Sequence, residues 1–181
     1  MRKIVVSEFV SLDGVMENPT WSAPYWGDDI AQFKSAENMA CDALLLGRVT
    51  YEGFAVAWPS RPDDDGAFRM NSLPKHVVST TLDKVEWNNS RLIKANIVEE
   101  ITALKQQPGK DILVYGSATL VNTLLQHGLV DRYQLLVYPV VLGSGKRLFQ
   151  DGSNATLKLV EARSFNSGVV LQSYQPAEKK A

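Results

Sequence analysis

The chain has 181 residues, of which 45% are hydrophobic and 22% charged, enough for one well-buried core and too few for two of ordinary size. A formal net charge of −1 gives no electrostatic case for nucleic acid or an anionic membrane surface, and no apolar run approaches a membrane-crossing length. Cys41 is the only cysteine and His76 and His127 are the only histidines, so there is no internal disulfide, no ligand cluster for zinc and little material for a histidine-based triad.

Taken in order, Ile4 to Val10 reads as a first strand, ended by Ser11-Leu12-Asp13-Gly14. Glu8 and Asp13 interrupt the apolar start too early for a signal peptide, and the expected location is the cytoplasm. A loop through Pro24 carries Trp21 and leads into Tyr25 and Trp26, aromatic residues that either cover a pocket or pack on the core. Gly27-Asp28-Asp29 opens a helix that continues through Ile30, Phe33 and Ala40 to about Cys41. Ala43 to Leu46 is a second buried strand, and Gly47-Arg48-Val49-Thr50 turns it into a helix running through Tyr51, Phe54 and Ala57 to Trp58. Pro59 to Pro74 holds three consecutive aspartates and three prolines and reads as a surface loop.

His76 to Ser79 is a third strand, followed directly by Thr80 and Thr81, and Leu92-Ile93 is a short one. Glu99 to Gln107 is a helix with an acidic start, stopped by Pro108-Gly109. Ile112 to Tyr115 is again a buried strand; Gly116 breaks it, and Leu120, Val121, Leu124 and Leu125 recur at helical spacing. His127, before Gly128, fits a helix C-terminus. Arg132 to Val141 is a long strand, and Leu142 to Lys146 a second glycine turn. Thr156 to Phe165 and Val169 to Tyr174 are strands joined by the hairpin signal Asn166-Ser167-Gly168. The reading is a single α/β domain over 1–175, with a mainly parallel central sheet, helices on both faces, a C-terminal antiparallel hairpin and a frayed tail over 176–181.

Two turns share their chemistry. Gly47-Arg48-Val49-Thr50 and Gly116-Ser117-Ala118-Thr119 both follow buried strands and both open helices. Parallel α/β sheets bind ligands at the carboxyl ends of their strands, and helix starts offer free N–H groups and partial positive charge. The pair suits the opposite parts of one dinucleotide, with the Arg48 fork on a phosphate and the hydroxyls of Ser79 and Thr80 nearby. Neither G-x-G-x-x-G nor G-x-x-x-x-G-K-[ST] is present, which argues against a standard Rossmann site and a nucleoside triphosphatase.

The order Leu44-Leu45-Leu46-Gly47-Arg48-Val49-Thr50, then Val77-Val78-Ser79-Thr80, then Leu113-Val114-Tyr115-Gly116-Ser117-Ala118-Thr119-Leu120 resembles the dihydrofolate reductase superfamily. Ser11-Leu12-Asp13-Gly14, the Thr119-Leu120 pair and Pro139-Val140-Val141-Leu142-Gly143 look most like the reductase domain of bacterial riboflavin biosynthesis and its stand-alone relatives. The resemblance covers nearly the whole chain. It implies a dihydrofolate reductase-like fold and NADPH-dependent reduction of a heterocyclic or imine substrate, on the pattern of 5-amino-6-(5-phosphoribosylamino)uracil reductase. Residue by residue, it implies Arg48 on the 2′-phosphate, and Gly47 and Thr50 on the pyrophosphate. Ser79 and Thr80 fall at the adenosine end, and Gly116, Ser117, Ala118, Thr119 and Leu120 at the second phosphate turn. In dihydrofolate reductases that turn is a Gly-Gly pair joined by a cis peptide. Here it is Gly116-Ser117, and the sequence leaves its isomer open.

The resemblance further implies Asp29 as the catalytic carboxylate, with Phe33 beside the substrate and Asp13 touching substrate or nicotinamide; Trp26, from the aromatic loop, is a further candidate substrate contact. Each aspartate has a plain alternative: Asp29 as a helix-start residue and Asp13 as a turn former. Lys146 reads equally as a substrate-phosphate contact or a solvated lysine. Two departures argue against folate: Leu136 stands where a pterin-supporting threonine is expected, and Leu73 or Pro74 where a basic residue would hold the glutamate tail. The Pro-Cys-x-x-Cys segment of a zinc deaminase is absent. The competing readings are a dihydrofolate reductase proper and a nucleotide-binding protein without reductase activity. A small-molecule substrate and a homodimer are expected, with no metal, nucleic acid or membrane partner.

Overall fold

The apolar runs become the middle of one sheet. The computed structural model describes residues 1–61 and 64–177. Its strands are β1 (Ile4–Ser11), β2 (Cys41–Gly47), β3 (Lys75–Val78), β4 (Ser90–Ile93), β5 (Asp111–Val114), β6 (Arg132–Tyr138), β7 (Leu157–Ser164) and β8 (Val170–Pro176). They lie in the order β4-β3-β2-β5-β1-β6-β8-β7. Pairing is parallel from β4 through to β6, and antiparallel between β6 and β8 and between β8 and β7.

The helices are α1 (Asp28–Ala40), α2 (Arg48–Ala57), α3 (Asp65–Ser72), α4 (Ile97–Gln106) and α5 (Ala118–Gln126). Side chains alternate across a strand, so β1 feeds two cores. Ile4, Val6 and Val10 pack with Ile101 and Leu104 of α4 and Leu120, Val121 and Leu124 of α5. Val5 joins Leu44, Leu46 and Leu113 on the other face, against Tyr51 of α2 and Met70 of α3. A third cluster joins Ile30 of α1 to Leu136, Tyr138, Phe165 and Leu171. Helices on both faces are why the central strands read as unbroken apolar runs.

The expected loop over 59–74 is corrected: it contains α3. Asp64 caps this helix by accepting a hydrogen bond from Ala67 N at 3.0 Å, and Ala67 and Met70 are buried. So short a helix, with Gly66 and a run of aspartates at its start, carries too few apolar positions to show a period. Pro62 and Asp63, also part of that expected loop, lie outside the described residues. The segment Pro19–Tyr25 winds as a 3₁₀ helix. β8 extends to Pro176, and Ala177 N donates to Thr156 O at 3.0 Å. The rest of the expected tail, 178–181, lies outside the described residues.

One mismatch in strand length positions the site. The β1–β5 ladder ends at Val6↔Val114, whereas β6 accompanies β1 as far as Ser11↔Tyr138. Beyond Val114 the chain swings away through Tyr115 and Gly116 into α5. The second half of β1 is left beside a cleft.

Candidate active site cleft

The floor is built where two strand–helix turns touch. Gly47, the last residue of β2, donates its N–H to Gly116 O at 2.9 Å. A Cβ on Gly47 would stand 2.8 Å from Ser117 N and collide with the Ser117 side chain, so glycine is required for this approach. Gly116 has φ +100°, and a Cβ there would lie 2.7 Å from Thr50 Oγ1. The Gly116–Ser117 peptide is cis. Neither Gly47 before α2 nor Ser117 before α5 caps its helix through a side chain. The first N–H groups of two helices, on neighbouring parallel strands, therefore open on the same space.

That space is a cleft of ≈ 1510 Å³. It runs from Ser79 and Thr80, after β3, over Gly47 and Ser117 to Ser7, Glu8 and Phe9 of β1. Crossing three strand spacings, it is about 14 Å long at the floor. At the β3 end, Ser79 Oγ accepts from Thr81 N at 3.2 Å and Leu82 N at 3.0 Å, which shapes the turn and leaves Thr80 on the surface. Arg48 lines the cleft and pairs with Glu52 at 3.0 Å across one exposed helical turn. Lys146 Nζ donates to Thr119 Oγ1 at 2.9 Å, so this lysine reaches over the start of α5. Gly47, Arg48, Thr50, Ser79, Thr80, Ser117, Ala118, Thr119 and Leu120 all line the cleft, and Gly116 sets the turn beneath them.

At the β1 end the walls are aromatic: Phe9, Trp26, Phe54, Trp58 and Tyr115. Set among them is a polar cluster. Lys34 Nζ donates to Ser7 Oγ at 2.8 Å and to Glu37 Oε2, and lies 4.3 Å from the centre of the Tyr115 ring. Tyr115 OH in turn donates to Glu37 Oε2 at 3.1 Å and lies 2.8 Å from Asn38 Oδ1. Burial pushes the Tyr115 phenol well above its ordinary range, and the Glu37 carboxylate adds to the push. Glu8 is only 5% exposed, and its Oε1 has no hydrogen-bond partner among the described residues. Burial raises its carboxyl well above the ordinary value; the Lys34 charge opposes that rise and Glu37 adds to it.

The expected catalytic residue Asp29 and two expected substrate contacts, Phe33 and Asp13, do not line this cleft. Asp29 Oδ1 accepts from Ile30 N at 2.9 Å and Oδ2 from Asn166 N at 2.7 Å, tying the start of α1 to the β7–β8 turn. Phe33 packs on Phe165, with ring centroids 5.9 Å apart. The reason is helical phase. At about 100° per residue, Asp29 and Phe33 share one side of α1, while Ala31, Lys34, Ser35 and Asn38 lie roughly opposite and face the cleft. Asp13 accepts from Ser11 Oγ at 2.5 Å, Gly143 N at 2.8 Å and Leu142 N at 3.1 Å, and these bonds hold its carboxyl down at about 2. It anchors a turn. Trp26 does line the cleft and is half exposed.

Other side chains also stand differently from expectation. The sequence does hold a basic residue next to Pro74, but Lys75 points inward. Its Nζ donates to the carbonyls of Asn71, Leu73 and Asn88 at 2.8–2.9 Å, and burial pushes its ammonium down to about 8. Lys34 and Glu8 were not singled out from the sequence. A glutamate inside the apolar run Ile4–Val10 is a signal that was there to read.

Comparison with known proteins follows the same lines. The family model described as RibD C-terminal domain matches residues 2–171. The uncharacterized protein YyaP of Bacillus subtilis (strain 168) is 37% identical over 175 residues, spanning 93% of this chain and 92% of YyaP. A protein from Shewanella sp. PV-4, provisionally assigned to riboflavin biosynthesis, has a fold similar to this one at TM-score 0.78 and 19% identity, over 97% of this chain and 99% of that one. Dihydrofolate reductase from Enterococcus faecalis, in complex with NADP(H), is similar at TM-score 0.64 and 15% identity, with 97% of each chain covered. The fold is dihydrofolate reductase-like: a mostly parallel sheet closed by an antiparallel C-terminal hairpin.

Proposed function

Because the chain belongs to the RibD C-terminal domain family, we propose that it is an NADPH-dependent reductase of a heterocyclic or imine substrate, of the 5-amino-6-(5-phosphoribosylamino)uracil reductase type. The observation that carries this reading is the contact between Gly47 and the Gly116–Ser117 turn, which aims two uncapped helix starts at one point. A pyrophosphate there meets free N–H groups and two helix dipoles. The cofactor, when bound, supplies a hydride.

The chain's own residues do the rest. Arg48 holds the 2′-phosphate, and Thr50, Ser117, Ala118, Thr119 and Leu120 surround the pyrophosphate with Gly47. Ser79 and Thr80 border the adenosine, three strands away from the substrate. A dinucleotide held in that order would extend its nicotinamide towards Glu8 and Phe9, where β1 has no strand on its β5 side. The aromatic walls thin out water around the reacting ring. Trp26 stands over the substrate.

Arg48→Ala tests the reading. Loss of a charge-assisted bond worth about 1.5–3 kcal/mol predicts roughly a ten- to hundredfold drop in NADPH affinity and little change for NADH. Equal losses for both would show that Arg48 only supports α2. A nucleotide-binding protein without reductase activity remains a second reading, favoured by the position of Asp29 outside the cleft. Turnover of NADPH with any pyrimidine or imine acceptor rules it out. The exposed edge strand β7, with Leu159 and Val160 about half exposed, supports the expectation of a homodimer.

A further inference from the structure

Glu8 stands at the β1 end of the cleft with one carboxyl oxygen unbonded. It lies on β1 beyond the last pairing with β5, Val6↔Val114, so no strand covers it on that side. Glu8 is 5% exposed, lines the cleft, and its Oε1 has no hydrogen-bond partner among the described residues. That oxygen lies 3.5 Å from the place a Cβ on Gly116 would take, a place also 2.7 Å from Thr50 Oγ1 and 3.3 Å from Met16 Cε. The carboxyl therefore reaches the same turn that closes on Gly47.

A buried carboxyl without a partner is costly, and its neighbours do not neutralise it. Lys34 and Glu37 of α1 are the charged groups that act on it, and they oppose each other. Lys34 is already bonded to Ser7 and Glu37. The Tyr115 phenol is the third titratable neighbour, and burial holds its proton firmly. Leu135 of β6 stands opposite Glu8, while Thr50 and Met16 come from α2 and from the loop after β1. Burial raises the Glu8 carboxyl well above its ordinary value, so it keeps a proton that a new positive charge nearby can remove.

The reductase reading, on which this inference rests, brings a nicotinamide to this end of the cleft. That ring is neutral when reduced and carries a positive charge when oxidised. We propose that Glu8 couples this charge to a proton: the protein releases one proton from this carboxyl on binding NADP⁺ and none from it on binding NADPH. A cation within about 4–6 Å favours the ionised form of a carboxyl, and a water-poor site strengthens the effect. Reduction of a C=N bond consumes one proton, and this ionisation frees one at the same end of the cleft.

The test needs no substrate. NADP⁺ and NADPH are titrated into the full chain between about pH 6.5 and 9 in weak buffer, with proton release read by a pH indicator and affinity by calorimetry. The 2′-phosphate titrates as well, near pH 6, but both forms carry it, so the difference between them isolates the charge on the ring. The wild type is expected to release up to one more proton with NADP⁺ than with NADPH. Its affinity for NADP⁺ relative to NADPH should rise by about tenfold per pH unit where that difference is largest. Glu8→Gln is expected to bind both forms with equal release and a constant affinity ratio, and Glu8→Met, measured alongside, should behave the same way. Equal release by the two forms in the wild type would overturn the proposal. So would a difference that survives in the variants, which would place the proton on Lys34 or Tyr115. Failure of the folded wild type to bind either form would overturn the reductase reading itself, a failure distinct from both of these.

Discussion

Glu8 carries a carboxyl into the middle of an apolar strand, and burial pushes its pKa well above the ordinary carboxyl range. In the unfolded chain the group ionises around its ordinary value of 4.5, whereas in the fold it holds its proton well above that. Above pH 4.5 the folded state therefore retains a proton that the unfolded chain has released. Glu8's contribution to stability is complete below that pH and falls as pH rises towards the folded value. Glu8→Gln keeps the shape without the titration, so it should raise the melting temperature at pH 7 and lose that advantage below about pH 4.5. Thermal unfolding of both proteins across pH checks this; an advantage independent of pH would show the effect is not ionisation. Asp29 makes the opposite kind of point. Its bonds are to Ile30 N and Asn166 N, so Asp29→Ala should cost about 1–2 kcal/mol in urea unfolding and leave NADPH binding unchanged. Side-chain direction is what the sequence hid at this scale. Apolar residues on α1 are few, so nothing in Asp28–Ala40 announces which face meets the cleft and which meets the hairpin.

Strand–helix units were legible because their physics is local. Leu44-Leu45-Leu46-Gly47 and Ile112-Leu113-Val114-Tyr115-Gly116 each show an apolar run, then a residue that lets the backbone turn sharply. What the sequence could not show is that these two turns touch. That contact depends on β2 and β5 being neighbours, a property of the sheet order. It yields a direct prediction. Gly47→Ala forces a methyl against Ser117, so it should lower both thermal stability and NADPH affinity, the latter by tenfold or more. Titration of the folded variant measures it, and unchanged affinity would separate the cofactor site from this contact. The helix α3 was missed for the reverse reason. Its evidence is a single cap and two buried side chains, whereas its composition is that of a loop.

At the scale of the whole molecule, the fold lays its chemistry out along the carboxyl ends of four adjacent strands. Ser79 follows β3, Gly47 ends β2, Gly116 and Ser117 follow β5, and Glu8 lies on the part of β1 that outruns β5. An extended ligand laid along this line meets hydroxyls, two helix starts and then an aromatic pocket with a lysine inside it. The order of motifs along the chain was enough to foresee the first two of these, because each motif is a local turn. The pocket was not foreseeable in the same way, since α1, β1 and Tyr115 come together only through the sheet. The measurement that tests the account most directly is titration of the wild-type protein with NADPH and with NADH, followed by nicotinamide fluorescence. The account predicts tight binding of NADPH and binding of NADH at least tenfold weaker, as the proposed pairing of Arg48 with the 2′-phosphate requires. Failure of the folded protein to bind either dinucleotide would contradict it.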